Sequence, residues 1–279
     1  MVTIVLKGGT GNQFYQYAFA ERLRAEGNEV QFDRSVIDGD VARAYTLDHW
    51  NVDIPCGQRR GQYINEETIL YQPHFIKKYN EDTILDGYWQ CEKYFLSVED
   101  KVRASLTLRS KPSEQTLQVA REMAACGSPC FLHIRRTDNL SVRGMAFHGI
   151  APQTYYQEAA RYIADRKPDP VFFVFSDDIA WCKENVRLPY VTIFVDHNNT
   201  GVDCNSEYWL TKRDDGTEHE DLWLMSQCQN AIMATSTFGW WGAWLMRNPR
   251  KIVIAPKQWF VGEFDKMSRN IIPDNWIRM

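Results

Sequence analysis

The stretch Cys130-Phe131-Leu132-His133-Ile134-Arg135-Arg136-Thr137-Asp138 sets a short apolar run against an abruptly charged continuation. Such a run reads as a strand buried on both faces, as in parallel sheets covered by helices. The charged residues then stand at the strand's carboxyl end, where open α/β sheets bind ligands. Two adjacent arginines leaving a strand point to opposite sides. One can fork onto a phosphate while the other pairs with a carboxylate and holds the loop. A solvated basic turn is the plainer alternative, weakened by Asp138 and by Asp177-Asp178, which the pattern places at a neighbouring strand end.

Outward from this strand the chain alternates. A polar loop is expected over 135–149, a helix over 152–166, a strand over 171–175 and a helix beginning at Ser176-Asp177-Asp178. A strand over 191–195 follows, then a long polar loop over 197–220, a helix over 221–228 and a short strand over 231–234. A helix over 238–246 and a last parallel strand over 251–255 complete the series, and the tail reads as irregular. Towards the amino terminus, 98–108 and 117–125 read as helices. At the start, residues 2–6 are β-branched and apolar, Gly8, Gly9 and Gly11 follow, and apolar positions at Phe14, Tyr15, Ala18, Phe19 and Leu23 mark a helix stopped by Gly27. A second strand over 29–33 closes a β-loop-α-β unit. The expected fold is α/β, two Rossmann-like doubly wound domains facing a cleft, with residues 1–125 in one and 126–279 in the other.

Composition bounds the function. Of 279 residues 44% are hydrophobic and 24% charged, which excludes a disordered, collagenous or coiled-coil chain. The net charge of −4, without a Lys/Arg run, argues against a general nucleic-acid binder, which needs clustered cations. No apolar run reaches the ~18–20 residues that span a bilayer, and the first residues lack a signal peptide's basic start. Seven scattered cysteines at no zinc spacing read as free thiols, so the expected location is cytoplasmic, with peripheral membrane association left open. Aromatics at 13%, ten of them Trp, suit core packing and equally a protein that stacks rings on sugars or bases.

Three further clusters carry chemistry. Gly9-Thr10-Gly11-Asn12-Gln13-Phe14, with Asp33 ending the next strand, partly matches a dinucleotide fingerprint, but Phe14 replaces the third glycine. A nicotinamide site, a merely structural turn, and a loop whose amides face a ligand with Asn12 and Gln13 all remain open. Asp177-Asp178 begins a helix, so one carboxylate caps it and the other is free to accept from a base N–H. Thr235-Ser236-Thr237-Phe238-Gly239 opens a helix whose hydroxyls and amides suit an anion, although a simple N-cap would look the same. Together, a cationic, an acidic and a hydroxyl-rich strand end describe a nucleoside-diphosphate pocket.

Several stretches resemble a known family, the bacterial-type α-1,2-fucosyltransferases. They are GGTGNQFYQYAF (8–19), RAYTLDHWNV (43–52), GYWQCEKYF (87–95), HIRRTD (133–138), FVFSDDIAWCKEN (173–185), the run 221–245 and KIVIAPKQWF (251–260). The resemblance implies a GT-B-like fold, GDP-fucose as donor substrate with no other cofactor, a galactose-containing oligosaccharide or glycolipid-linked acceptor, inversion at the fucose carbon, and no metal. It makes Arg135 and Arg136 the residues at the β-phosphate, Asp177 and Asp178 the acidic pair near guanine, and Ser236 and Thr237 the hydroxyls on the diphosphate. His133, Phe238 and the loop carrying Asn12 and Gln13 complete the donor set. Arg135 is the catalytic cation, and His148 and Asp138 are the available bases. Trp89, Gln90 and His148 are expected on the acceptor. A fucosyltransferase of another linkage is one alternative, and two rival classes remain: a nicotinamide-dependent oxidoreductase, and a catalytically silent sugar or nucleotide binder.

Overall fold

The structure, a computed structural model, describes residues 1–198 and 217–279, so most of the predicted 197–220 loop lies outside the described residues. It contains two compact units, each built on an all-parallel sheet. Unit 1 comprises Met1–Ser110 with Lys266–Pro273. Unit 2 holds the other described residues.

In unit 1, β1 (Val2–Val5) leads through the glycine loop to α1 (Thr10–Ala25) and β2 (Val30–Asp33). The α1 helix ends as the sequence suggests. Gly27 takes a left-handed φ of 82°, and the amides of Gly27 and Asn28 bond back to Arg24 and Leu23. A short α2 (Ser35–Gly39), β3 (Gln62–Asn65), β4 (Thr83–Asp86) and α3 (Glu99–Ser105) follow. The strand order is β2-β1-β4-β3, so the winding reverses between β1 and β4. Gln16, fully buried, ties those two strand ends together: its amide donates to the carbonyls of Lys7 and Gly87 and accepts from the Lys7 N–H. The strand β3 does not stand out in the sequence, because it is a largely exposed edge with no apolar alternation, and β4 is only 4 residues long.

Unit 2 contains α4 (Glu114–Ala125), β5 (Ser128–Ile134), α5 (Val142–Phe147), α6 (Gln153–Ala164), β6 (Pro170–Ser176), α7 (Ile179–Asn185) and β7 (Thr192–Phe194). Then come α8 (Glu218–Gln227), β8 (Asn230–Ile232), α9 (Thr237–Leu245), β9 (Val253–Ala255) and β10 (Ile277–Arg278). The helix expected with the first domain, α4, belongs to this unit: its capping Ser113 donates to the Glu220 carboxylate through both its amide and its hydroxyl. The expected 135–149 loop contains α5, capped by the Ser141 hydroxyl.

All seven residues of β5 are buried, as the opening stretch requires of a central strand. Its Leu132 and Ile134 pack with Phe172, Val174, Tyr156 and Ile163, each large apolar side chain contributing about 1.5–3 kcal/mol. The sheet order is β10-β9-β8-β5-β6-β7, the doubly wound order that reverses between β5 and β8. That reversal selects the carboxyl ends of β5 and β8 as the place for a ligand. No described helix is long and apolar enough to cross a membrane.

Candidate functional site

At the carboxyl end of β5 the two arginines are held differently. Asp177, just past β6, accepts the backbone N–H groups of Arg136 (2.9 Å) and Thr137 (3.2 Å) and the Thr137 hydroxyl. The same carboxylate pairs with Arg135 Nη1 at 3.1 Å. Asp138 takes Arg135 Nε and Nη2, each at 2.9 Å. The Arg135 side chain remains 23% exposed. Burial works against its charge, but Asp177 and Asp138 outweigh that and hold the guanidinium above its ordinary value.

Arg136 instead pairs through Nε with Asp178 at 3.0 Å and lies over the Trp181 ring, 3.6 Å from its centroid. Asp178 also caps α7 through the Trp181 N–H at 3.2 Å. Both carboxylates thus bond to arginines, backbone amides and a helix cap, and Arg136 braces the loop. Trp181, which the sequence reading passed over, is legible afterwards as an aromatic in the first turn behind two aspartates.

Across the reversal, α9 begins at Thr237 with Ser236 at its N-cap. The Ser236 side chain makes no cap bond. A helix start presents unpaired amides and a partial positive charge. The His133 ring joins the two strand ends. It packs on Phe238 at 5.9 Å, and a Cβ on Gly239 would stand 2.7 Å from its Nδ1. Burial pushes His133 down to about 4, so the ring is neutral near pH 7. His133, Arg135, Arg136, Asp177, Asp178, Ser236, Thr237 and Phe238 thus gather at one end of one sheet.

His148 ends α5, its ring against Phe147 (4.9 Å) and Phe260 (5.5 Å). Burial lowers its pKa; Asp138 opposes that shift and Arg135 adds to it. The three catalytic candidates Arg135, Asp138 and His148 therefore sit within electrostatic reach of one another.

In unit 1 two expectations are corrected. Gln13 is fully buried, donating to the carbonyls of Gly8 and Ala44 and accepting from the Thr46 N–H, so it shapes the loop and offers nothing to a ligand. Trp89 is also fully buried, stacked on Phe19 at 4.5 Å and edge-on to Phe75 at 4.8 Å, so its indole is core. Asn12 and Gln90 do come together: Gln90 Nε2 donates to Asn12 Oδ1 at 2.7 Å. Asp33, the residue a nicotinamide ribose would need, accepts from the Ser35 amide and hydroxyl and from Arg59. Among the described residues no His, Cys, Asp and Glu cluster is arranged to hold a metal.

The sequence pattern described as Glycosyl transferase family 11 matches residues 74–279. An alpha-1,2-colitosyltransferase of Escherichia coli is 29% identical, the match covering 100% of this chain and 99% of the relative. The O-antigen biosynthesis glycosyltransferase WbnK of the same organism is 38% identical over 53% of this chain and 43% of its own length. Galactoside alpha-(1,2)-fucosyltransferase 1 of Mus musculus is 30% identical over 87% of this chain and 63% of its own length. Among solved structures, NodZ alpha-1,6-fucosyltransferase from a crystal soaked with GDP-fucose covers 91% of this chain and 94% of its own, with a TM-score of 0.55 at 16% identity. That likeness speaks to fold alone and agrees with two parallel-sheet α/β units of GT-B-like kind.

Proposed function

The chain belongs to glycosyl transferase family 11, and on that premise we propose that it moves L-fucose from GDP-fucose to the 2-hydroxyl of a terminal β-galactoside, with inversion. The observation that carries this reading is Arg135, fixed by two carboxylates at the sheet reversal of unit 2, at the same end as the start of α9. In this reading the diphosphate lies against the α9 amides and Arg135. As the bond from fucose C1 to the β-phosphate oxygen breaks, negative charge builds on GDP. Arg135, already oriented by Asp138 and Asp177, stabilises that charge more than it stabilises the ground state. Arg136 keeps the loop in place from its seat on Trp181. The galactoside O2 attacks C1 from the opposite face and its proton passes to His148. Asp138 is the poorer base because its carboxylate is engaged by Arg135.

We assign the acceptor to unit 1, whose sheet reversal ends in Asn12, held by the buried Gln90, and the half-buried Tyr88, groups suited to a neutral sugar. A colitosyl donor is a second reading, favoured by the relative matched along the whole chain. Nothing in the family or the site supports the nicotinamide reading. The test is release of GDP with each donor against a panel of galactosides, with the product linkage read by NMR. Release with a β-galactoside and an α-1,2 product is expected. GDP binding without turnover on any acceptor would leave only the silent binder.

A further inference from the structure

Glu66 follows the edge strand β3, and its amide bonds to the Asp86 carbonyl at 2.8 Å. Its half-buried carboxylate accepts the backbone N–H groups of Tyr88 (2.7 Å) and Trp89 (3.2 Å). Those amides belong to a turn that needs holding. Trp89 has a φ of 58°, a left-handed conformation that L side chains avoid. Gly87 is required before it, since a Cβ there would lie 2.6 Å from Glu66 Cβ and 2.8 Å from the Trp89 ring. The turn has a directional consequence. The indole goes inward onto Phe19, Phe75 and Tyr94, Tyr88 stays half-buried under Lys7 at 4.7 Å, and Gln90 reaches Asn12. Lys7 in turn pairs with Asp86 at 2.5 Å.

We propose that Glu66 is a positioning residue for the acceptor: its carboxylate clamps the Gly87–Gln90 turn, so that Tyr88 and Asn12, the latter held by the buried Gln90, form the surface offered to the sugar. This rests on the assignment of the acceptor to unit 1. A carboxylate is suited to the task because it has two oxygens for two converging amides, whereas a carboxamide has one. The side chain itself does not touch the sugar. Its loss lets Trp89 relax from its left-handed conformation and releases Gln90 from Asn12, while the unit 2 site is untouched.

The test compares Glu66→Ala, Glu66→Gln, Gln90→Ala and the double variant Glu66→Ala with Gln90→Ala. Lactose serves as the galactoside probe, with KM and kcat from GDP release and lactose affinity for the GDP complex from calorimetry. Glu66→Ala should raise the lactose KM and Kd about tenfold, with kcat at saturating lactose and GDP affinity within about twofold. Glu66→Gln should lie between, and the double variant should be no worse than the poorer single, as expected of residues acting through one turn. A folded Glu66→Ala with unchanged lactose affinity, or effects that add in the double variant, would overturn the proposal. If Glu66→Ala fails to fold, Glu66→Gln with lactose affinity equal to wild type overturns it equally. Failure of the fucosyl-transfer reading looks different: wild-type protein would release no GDP from any donor and acceptor pair, while the calorimetric comparison would still be read.

Discussion

Arg135 and Arg136 are neighbours in sequence, yet their surroundings give them different work, and substitution should separate them. A lysine at 135 cannot engage Asp138, Asp177 and a phosphate at once, so Arg135→Lys should lower kcat about tenfold or more. Arg135→Ala should lower it by two to three decades, on the order of 3–4 kcal/mol. Steady-state kinetics of the folded variant decide this, and a kcat near wild type would remove Arg135 from the phosphate. For His148 the sign follows from its burial. The depressed pKa keeps the ring neutral at pH 7, so kcat/KM should fall only as pH drops below the ordinary imidazole value of about 6.5. His148→Ala should spare GDP affinity, lower kcat/KM and abolish that acid limb, which a pH–rate profile reads directly. The arginines and histidine were legible from residue type and position. Their partners were not, because Asp177 and Asp178 come into reach only through the pairing of β5 with β6.

At the scale of elements, the boundary between β5 and α9 depends on a missing side chain. Gly239→Ala would gain up to about 1 kcal/mol of helix propensity, but the new Cβ meets the buried His133 ring at 2.7 Å, an overpacking worth about 1–3 kcal/mol. The second effect should win, lowering the melting temperature and weakening GDP binding as the start of α9 is pushed off β5. A variant more stable than wild type with unchanged GDP affinity would show that this contact yields freely. Elements with a buried strand or a two-sided helix pattern were legible: β1, α1, β2, β5, α6, β6 and α9. The missed ones each have a physical cause. The edge strand β3 is solvated, the six-residue α5 is too short for a period to register, and the inward turn of Trp89 is imposed by Glu66, more than 20 positions away.

For the whole molecule, strand–helix alternation was enough to give two parallel-sheet units. The division at Ser110/Lys111 was not legible, because the side chains that bind α4 to unit 2 come from Glu220, over 100 positions later. A nucleotide site confined to unit 2 predicts that GDP raises the melting temperature. Saturation at 100 times Kd is worth about 2.7 kcal/mol to the native state. NADH should give no shift, because Asp33 is already engaged by Ser35 and Arg59. Differential scanning fluorimetry with both ligands checks this, and protection by NADH alone would revive the oxidoreductase. Charge balance gives the last expectation. A diphosphate leaving group must be neutralised, and many enzymes use a divalent cation held by free carboxylates. At the unit 2 site Asp138, Asp177 and Asp178 each pair with an arginine at 2.9–3.1 Å. Ligating a cation would strip Arg135 or Arg136 of its support. Cationic charge here is supplied by Arg135 and the start of α9, so enzyme treated with EDTA and assayed without added metal should keep its full rate of GDP release. Loss of activity in the chelator, restored by Mg²⁺ or Mn²⁺, would mean that these carboxylates let go of their arginines during the reaction.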